Sequence, residues 1–294
     1  GHDVNIYTDA DVNSRATAEV DAGGLVGSGK ITAASALKRD VNIIVHSLAF
    51  ISSDRGNVSI LAKAGEDDFV GTYASGGSGG FVSAGNELLV QVTYESSADI
   101  NIYRAASIIA DGNIAIEAVV SVGRLTSSVD GGSGGAVALM TGYAETDWGT
   151  DNDHILRATV TIGRDSDTEK ADEAVITAQN IDIFAGLGKV SISNETDIAA
   201  GGFGGNARSF AHMRFQLQAA VDIRDAALAA VEYLKIRSSG AATTDSIIEC
   251  SSTARFSGAF GTVNTEAILE TLGNDKFIEI NTLIRSNTTL IGSN

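Results

Sequence analysis

The chain has 294 residues and carries 20 Lys and Arg against 37 Asp and Glu, so its net charge is −17. Hydrophobic residues make up 44% of the chain, which excludes intrinsic disorder, because disordered chains combine low hydrophobicity with high charge. The acidic balance argues against nucleic-acid binding, which needs cations to neutralise phosphates, and no apolar run approaches the ~20 residues of a membrane-spanning helix.

The use of cysteine and proline narrows the fold further. The single cysteine, Cys250, cannot form an intramolecular disulfide framework or a cysteine-based metal cluster. Proline is completely absent, and proline would remove a backbone donor from a β-ladder. Composition therefore predicts an acidic protein made mostly of central strands, and it does not indicate an activity.

A short strand of alternating apolar and polar residues opens each of five repeating units. Its copies lie at 3–7, 57–62, 113–118, 180–185 and 233–238, and three of them begin with Asn-Val or Asn-Ile. Their first apolar residues are separated by 54, 56, 67 and 53 positions. Alternation with a period of two is typical of a half-buried strand, so the chain is predicted to contain about five units of ~57 residues.

A glycine-rich turn follows about 20 residues after the opening strand of each unit. Two copies are nearly identical: Gly-Gly-Ser-Gly-Gly-Phe-Val at 76–82 and Gly-Gly-Ser-Gly-Gly-Ala-Val at 131–137. Neither is followed by the Lys and Ser/Thr of a phosphate-binding loop or by the Asp of a calcium-binding nonapeptide repeat. We therefore predict that these glycines form tight corners between coils. The corner glycines are Gly79, Gly80, Gly134, Gly135, Gly204 and Gly205.

A third strand closes each unit, as at 40–44 and 99–103, so each unit divides into three segments of 11–25 residues. Repeats of this kind stack, because one copy cannot bury its apolar face alone. The sequence thus predicts an all-β, right-handed parallel β-helix filling residues 1–294 as one domain. We expect three coils of 19–20 residues per unit, about 15 coils in all and roughly 70 Å in length at ~4.8 Å per coil. The inward stack is expected to include Ile43, Ile60, Ile102, Ile116 and Ile183.

Two stretches allow another interpretation. Residues 216–237 are rich in Ala and Leu and have the propensity of an amphipathic helix, but the repeat spacing places two strands there, and we favour the strands. Residues 143–153 and 163–173 are polar and acidic, and they account for the longest separation. We expect the 143–173 region to carry loop insertions that protrude from one face.

The acidic insertions contain the candidate calcium ligands, because closely spaced carboxylates can surround Ca²⁺. Neither segment has the spacing of an EF-hand, and solvated loops are the alternative. No other cofactor is predicted. The candidate ligands are Asp147, Asp151, Asp153, Asp165 and Asp167.

The remaining chemistry-bearing residues are scattered. The only tryptophan, Trp148, lies in the first acidic stretch and is a candidate contact for a ligand or partner. The four histidines, at positions 2, 46, 154 and 212, show no metal-binding spacing. Cys250 alternates with Ile248, which favours a buried small residue over a reactive thiol.

The glycine turn, the Asn-[Val/Ile]-x-Ile-x-Ala strand and the ~57-residue period together resemble the repeat regions of very large secreted bacterial proteins. These are the leukotoxin-like filamentous adhesins and the filamentous haemagglutinin type exported by two-partner secretion. The resemblance implies a β-helical shaft at the cell surface, with adhesion or filament formation as its role and without catalytic residues.

Two classes of function are therefore open. The first is a non-enzymatic structural or adhesive shaft of an extracellular filament. Its partners would be copies of itself end to end, neighbouring repeats of a longer array, or host and cell-surface glycans or proteins. The second is a glycan-binding or glycan-cleaving β-helix, for which carboxylates should cluster on one outer face.

Overall fold

The fold is that of a computed structural model, which describes residues 2–148, 156–164, 172–240, 245–271, 278–285 and 288–292. These residues form strands and turns, and no helix occurs among them. The described part of the chain therefore contains no helix that could span a membrane. The strands are β1 (Val4–Ala10), β2 (Asn13–Ala22), β3 (Val26–Gly27), β4 (Lys30–Val45), β5 (Phe50–Ser53), β6 (Val58–Ala64), β7 (Phe69–Gly79), β8 (Val82–Tyr103), β9 (Ser107–Ala110), β10 (Asn113–Trp148), β11 (Leu156–Arg164), β12 (Ala174–Phe215), β13 (Leu217–Ile223), β14 (Ala226–Ser239), β15 (Ile247–Thr271), β16 (Ile278–Ile284) and β17 (Thr288–Gly292).

The strands follow one path five times, and each passage pairs in parallel with the next. We call the passages rungs one to five; they cover residues 4–53, 58–110, 114–178, 181–230 and 234–292. Val4 pairs with Val58, which pairs with Ile114, then Ile181 and finally Leu234. Every pairing of rungs is parallel, which is compatible with a β-solenoid.

The observed pairing corrects the predicted number of coils. Each ~57-residue unit is one rung, not three coils of 19–20 residues, because each strand pairs with its counterpart one whole unit away. Equivalent residues of successive units lie in the same environment, so the ~57-residue period of the sequence corresponds to one rung. The three strands of a unit are successive segments of that single rung, separated by corners. Five rungs at ~4.8 Å give a stack about 24 Å long, not 70 Å.

Each rung has two facing walls with the core between them. Contacts across the interior join β2 to β4, β4 to β6 and β7 to β8. Burial alternates along the walls, as in β6 and β13, where every second residue is buried. The inward isoleucines predicted from the sequence are confirmed: Ile43, Ile60, Ile102, Ile116 and Ile183 are all buried.

The Ala- and Leu-rich stretch 216–237 forms β13 and most of β14, so the strands predicted there are confirmed. Leu217 pairs with Leu156 on one side and with Ile278 on the other. Helix propensity contributes a few tenths of a kcal/mol per residue. The hydrogen bonds of this segment to both neighbouring rungs, together with the burial of every second side chain, outweigh that preference.

Part of the predicted 143–173 insertion region lies in strands. Residues 143–148 end β10 and residues 156–164 form β11, so these residues belong to the ladder. Between β10 and β11, rung three has seven residues where rung two has one. Arg164 pairs with Tyr103, and Val175 pairs with Ser107. Rung three therefore has ten residues between these two pairs, where rung two has three. The extra length therefore falls at 149–155 and 165–174.

Candidate functional site

An asparagine ladder runs along the corner that precedes the first strand of each rung. The backbone N–H of Asn57 donates to Asp3 Oδ1 at 2.7 Å, and that of Asn113 donates to Asn57 Oδ1 at 2.8 Å. The side-chain amide of Asn180 donates to Asn113 Oδ1 at 2.8 Å, and the backbone N–H of Tyr233 donates to Asn180 Oδ1 at 3.3 Å. Each bond contributes about 1 kcal/mol, and the ladder ties all five rungs together.

The sequence contained a signal for this ladder. The repeated Asn at the start of three opening strands was interpreted only as part of the strand motif. Backbone hydrogen bonds between rungs stop where a strand turns a corner, so the N–H group at the corner needs another acceptor. An Asn that recurs just before an inward Val or Ile indicates such a corner, because its side-chain oxygen can accept from the N–H of the neighbouring rung.

Successive backbones approach closely at the glycine-rich corner. Gly80 and Gly135 have φ values of +152° and +151°, which disfavour a side chain. A Cβ on Gly135 would lie far inside van der Waals contact with the carbonyl oxygen of Gly80, and Gly202 meets Gly135 in the same way. Gly80, Gly135 and Gly202 thus form one column in which no side chain fits.

The column corrects one predicted alignment. Gly204 and Gly205 were expected to occupy the same corner as Gly134 and Gly135, but Gly134 pairs with Gly201, and Gly204 pairs with Val137. Several consecutive glycines allow more than one alignment, and only the pairing shows which is used. Gly205 still lies close to a neighbouring backbone, because its Cβ would strike the carbonyl oxygen of Ala138.

A buried ion pair joins the two walls. Arg39 of β4 donates to Asp68 through Nη1 to Oδ1 at 2.7 Å and through Nη2 to Oδ2 at 2.9 Å. Asp68 lies in the turn between β6 and β7, and it also accepts a hydrogen bond from the Tyr94 hydroxyl. Ser96 completes the cluster as an acceptor for Arg39 at 2.8 Å. Both charged residues are more than nine-tenths buried.

Titration within this cluster follows from its burial. Burial raises the pKa of Tyr94 well above its usual range. Burial alone would lower the pKa of Arg39, but the hydrogen bonds to Asp68 and Tyr94 and the charge of Asp68 raise it. This fully hydrogen-bonded ion pair holds the β6–β7 turn against the opposite wall.

A second internal column is polar but uncharged. Ser127 and Thr146 lie on opposite walls, 2.6 Å apart between their hydroxyl oxygens, and Ser127 also donates to Asn194 Oδ1 at 2.7 Å. Cys250 follows Asn194 in the same column, and its Sγ donates to the carbonyl oxygen of Ala211 at 3.3 Å. Burial raises the pKa of the Cys250 thiol, which favours the structural interpretation over a reactive thiolate.

The outer faces carry ion pairs between neighbouring rungs. Asp147 Oδ1 lies 3.2 Å from Arg214 Nε, and the same nitrogen lies 3.9 Å from a Glu270 carboxylate oxygen on the next rung. Arg157 likewise donates to Asp99, and this hydrogen bond raises the pKa of Arg157. Cations and carboxylates therefore alternate along the stack at several positions.

Of the predicted calcium ligands, only Asp147 lies within the described residues. It lies in a strand beside an arginine. Asp151, Asp153, Asp165 and Asp167 lie outside the described residues, as does His154. Within the described part of the chain, no cluster of three or more His, Cys, Asp or Glu could hold a metal ion.

The other singled-out residues lie apart from one another. Trp148 is the last residue of β10 and pairs with Tyr94 and Phe215. The ring of His46 stacks on Tyr103 at 5.6 Å between ring centres. The His212 Nε2 lies 4.0 Å from a carboxylate oxygen of Glu266. The backbone carbonyl of His2 accepts a hydrogen bond from Ser53.

One shallow hollow of ≈ 330 Å³ opens on the outer face of β4, β8 and β10. Small side chains of rung one form its floor, including Ala34 and Ala36, and Gln91 lies in rung two. Glu145 and Asp147 of rung three line its acidic side, and Gln91 donates to Glu145 at 3.0 Å.

An exposed apolar ridge follows the glycine corner. Leu25, Phe81, Phe203 and Phe260 project outward, each at least 66% exposed. The rings of Phe203 and Phe260 meet edge to face with centres 5.4 Å apart. These four residues belong to rungs one, two, four and five, so the ridge places large apolar side chains on the outside of a strongly acidic protein.

Comparison with known proteins finds no match: no protein-family model, no curated sequence and no solved structure is similar to this chain.

Proposed function

We propose that the chain is a segment of a right-handed β-helical shaft that serves as a structural or adhesive part of an extracellular bacterial filament. The observation that carries the proposal is the unbroken pairing of equivalent positions through all five rungs, with side-chain ladders along the same direction. A structure of this kind transmits load along its axis through every rung. The right hand follows from the strong preference of crossovers between parallel strands.

The side chains support a structural role. The asparagine ladder, the glycine column and the Arg39–Asp68 pair each connect one rung to the next. The location outside the cell and the adhesive role rest on the resemblance of the repeats to large secreted adhesins. The surface on which adhesion would act is an outer face, because the interior is filled.

Single-molecule force measurement tests the shaft. When the two ends of the chain are pulled apart along the axis, rungs should detach one by one. Each event should release 53–67 residues, which is the separation between paired positions. At ~3.4 Å per extended residue, the contour length gained is about 180–230 Å per event. Release in steps of about 20 residues, or of the whole chain at once at low force, would contradict the proposal.

A glycan-binding or glycan-cleaving protein is the second candidate. The acidic hollow favours it, because Glu145 and Asp147 lie two residues apart on one outer face. The same carboxylates already bond to Gln91 and Arg214, which is the arrangement of a structural ladder. Incubation with a panel of acidic and neutral polysaccharides distinguishes the two functions. We expect no new reducing ends or unsaturated sugars, and their release by wild type but not by Glu145→Gln would establish the second function.

A further inference from the structure

The apolar ridge lies where the chain reverses its direction. In rungs two, three and four, hydrogen bonds join the wall before the glycine corner to the wall after it. The partners are Ser78 with Ser83, Ser127 with Thr146, and Ser209 with the carbonyl oxygen of Thr196. The positions halfway between them in the sequence are 80–81, 136–137 and 202–203. Because the two walls face each other across the interior, these positions form the outer rim of the fold, which is convex.

The rim carries no charge in any of the five rungs. Its segments contain no Asp, Glu, Lys, Arg or His over 36 residues, where the chain average of 19% would give about seven charged residues. The first charges lie just outside it, as at Asp21 and Lys30 of rung one. A neutral surface on a protein of net charge −17 favours an apolar partner without net charge. The rim segments are 23–29, 79–86, 134–140, 201–207 and 257–263.

The exposure of the ridge is independent of the ends of the stack. Phe81 in rung two and Phe203 in rung four are 66% and 69% exposed, although each of these rungs has a paired rung on both sides. Val137 and Leu139 of rung three are also exposed. The residues that precede the two rings are glycines, which have no side chain to cover them, so the rings project into solvent.

The backbone of the rim is hydrogen-bonded from rung to rung. The N–H of Val82 donates to the carbonyl oxygen of Leu25 at 3.0 Å, and that of Ala136 donates to the carbonyl oxygen of Phe81 at 2.9 Å. The pairing continues through the rim of rungs four and five. An apolar phase accepts a polypeptide surface only where the backbone polar groups already have partners, and these pairings meet that condition between the rungs.

Shape and neutrality together favour a lipid surface as the occupant of the ridge. A convex rim buries little of itself against a second convex rim, so two copies would leave most of each ring in water. A bilayer is nearly flat and deformable, and a straight row of side chains along the stack can enter it together at one depth. Anionic lipids would repel a protein of net charge −17, whereas zwitterionic headgroups have no net charge.

We propose that the apolar ridge inserts into the boundary between headgroups and acyl chains of a membrane rich in zwitterionic lipid, with the axis of the stack parallel to the membrane. The ridge residues are the anchors, and the charges that flank the rim stay in the aqueous layer. This inference rests on the proposed adhesive role and specifies the surface to which the shaft adheres. Force measurement on single molecules tests the shaft without lipid, so failure of the one is distinguishable from failure of the other.

Flotation of the full chain with vesicles tests the proposal. We expect saturable binding to phosphatidylcholine vesicles. When about a third of the lipid is phosphatidylserine, binding should weaken at about 20 mM NaCl and recover at about 500 mM NaCl, because salt screens the repulsion. A protein that floats with none of these vesicles, at any lipid concentration or salt, would overturn the proposal.

Serine substitutions test which residues enter the lipid. Phe81→Ser and Phe203→Ser each remove a ring that is about two-thirds exposed, and each should lower the partition coefficient about tenfold. Phe50→Ser is the matched control, because Phe50 is 67% exposed on the outer face of β5, outside the rim segments. We expect it to bind within about twofold of wild type. Circular dichroism and thermal unfolding of all three variants should match wild type, since the three rings are exposed.

Ala136→Phe tests the ridge by gain of binding. Ala136 lies between Phe81 and Phe203, because its N–H donates to Phe81 and its neighbours Gly135 and Val137 pair with the residues on either side of Phe203. A ring at this position would fill the gap at rung three. Binding to phosphatidylcholine vesicles should become about tenfold stronger, which a folding defect would not produce.

Two further outcomes would overturn the proposal. Equal binding by wild type, Phe81→Ser and Phe203→Ser would mean that another surface contacts the lipid. Sedimentation velocity of the lipid-free protein tests a second copy as the occupant. Self-association that both serine variants abolish, without any vesicle binding, would show that the ridge is covered by another molecule of the same chain.

Discussion

At the scale of single residues, alternate positions of one strand have opposite surroundings. Ile60 is fully buried between Ile6 of rung one and Ile116 of rung three. Ser59, its neighbour, faces outward between Asn5 and Ala115. The environment of a substituted side chain therefore depends on whether its position faces inward or outward, because each side chain in rung two lies between the equivalent residues of rungs one and three.

Ile60→Asp should destabilise the protein by several kcal/mol, because the carboxylate would be buried without a partner. Ser59→Asp introduces the same group one position away on the outer face, and we expect it to change the free energy of unfolding by no more than about 0.5 kcal/mol. Urea unfolding followed by circular dichroism measures both. Equal stability of the two variants would mean that the inward and outward faces of β6 are assigned the wrong way round.

Tyr94 gives the protein a predictable weakness at alkaline pH. Burial raises its pKa in the folded state, so the folded protein retains a proton that the unfolded chain loses above about pH 10. The contribution of protonated Tyr94 to the free energy of unfolding is fully present below pH 10. It is lost as pH rises above 10, at up to about 1.4 kcal/mol per pH unit.

Tyr94→Phe removes this titration, so its stability should fall less steeply than that of wild type between pH 10 and 12. At pH 7 the variant should be less stable by about 1–3 kcal/mol, because Asp68 loses the hydroxyl that donates to it. Urea unfolding of wild type and Tyr94→Phe at pH 7 and at several pH values between 10 and 12 measures the two effects. Parallel pH curves for the two proteins would show that the Tyr94 hydroxyl is not buried.

At the scale of the secondary-structure element, the glycine corner decides how closely rungs can stack. Successive rungs can be ~4.8 Å apart at every strand only if the corner repeats at the same spacing. The column Gly80, Gly135 and Gly202 meets this need, because each carbonyl oxygen occupies the space of the next residue's Cβ.

Gly135→Ala should destabilise the protein by more than about 1 kcal/mol, because the new methyl group would collide with the Gly80 carbonyl and φ is +151°. Gly132→Ala is the matched control in the same motif, since a Cβ there meets nothing within 4 Å. The control should be neutral or slightly stabilising. Thermal unfolding of both variants tests the prediction, and a similar loss in both would argue against the column.

At the scale of the whole molecule, the rung is the unit of construction. Removing residues 114–180 joins Asn113 to Ile181, which lies in the same column as Ile114, so rung two would meet rung four in register. The shortened protein should keep its β-structure and a cooperative transition, because the stability of a stacked repeat depends mainly on contacts between nearest neighbours.

Removing about a third of a rung, residues 114–133, is the control for this deletion. It removes the part of rung three that pairs with β6 and β7, so rungs two and four lose their common partner along that wall and we expect a large loss of stability, whereas coils of 19–20 residues would tolerate the loss. Circular dichroism and size-exclusion chromatography of the two deletions distinguish a five-rung stack from a stack of 15 coils.

Several features of this protein could be predicted from the sequence because they are local or periodic. The period-two pattern identified the strands, including those at 217–223 and 226–239 where propensity favours a helix. The inward isoleucines follow from the same alternation. The repeat separations of 54, 56, 67 and 53 equal the spacing of hydrogen-bonded partners between rungs.

Only the tertiary structure decided how the strands of one unit are arranged. A strand with one buried face has the same pattern whether its partner is 20 or 57 residues away, because the alternation records burial and not the identity of the neighbour. The Arg39–Asp68 pair and the Ser127–Thr146 contact were hidden for the same reason. Each joins residues that are distant or unpatterned in the sequence, and only the path of the chain brings them together.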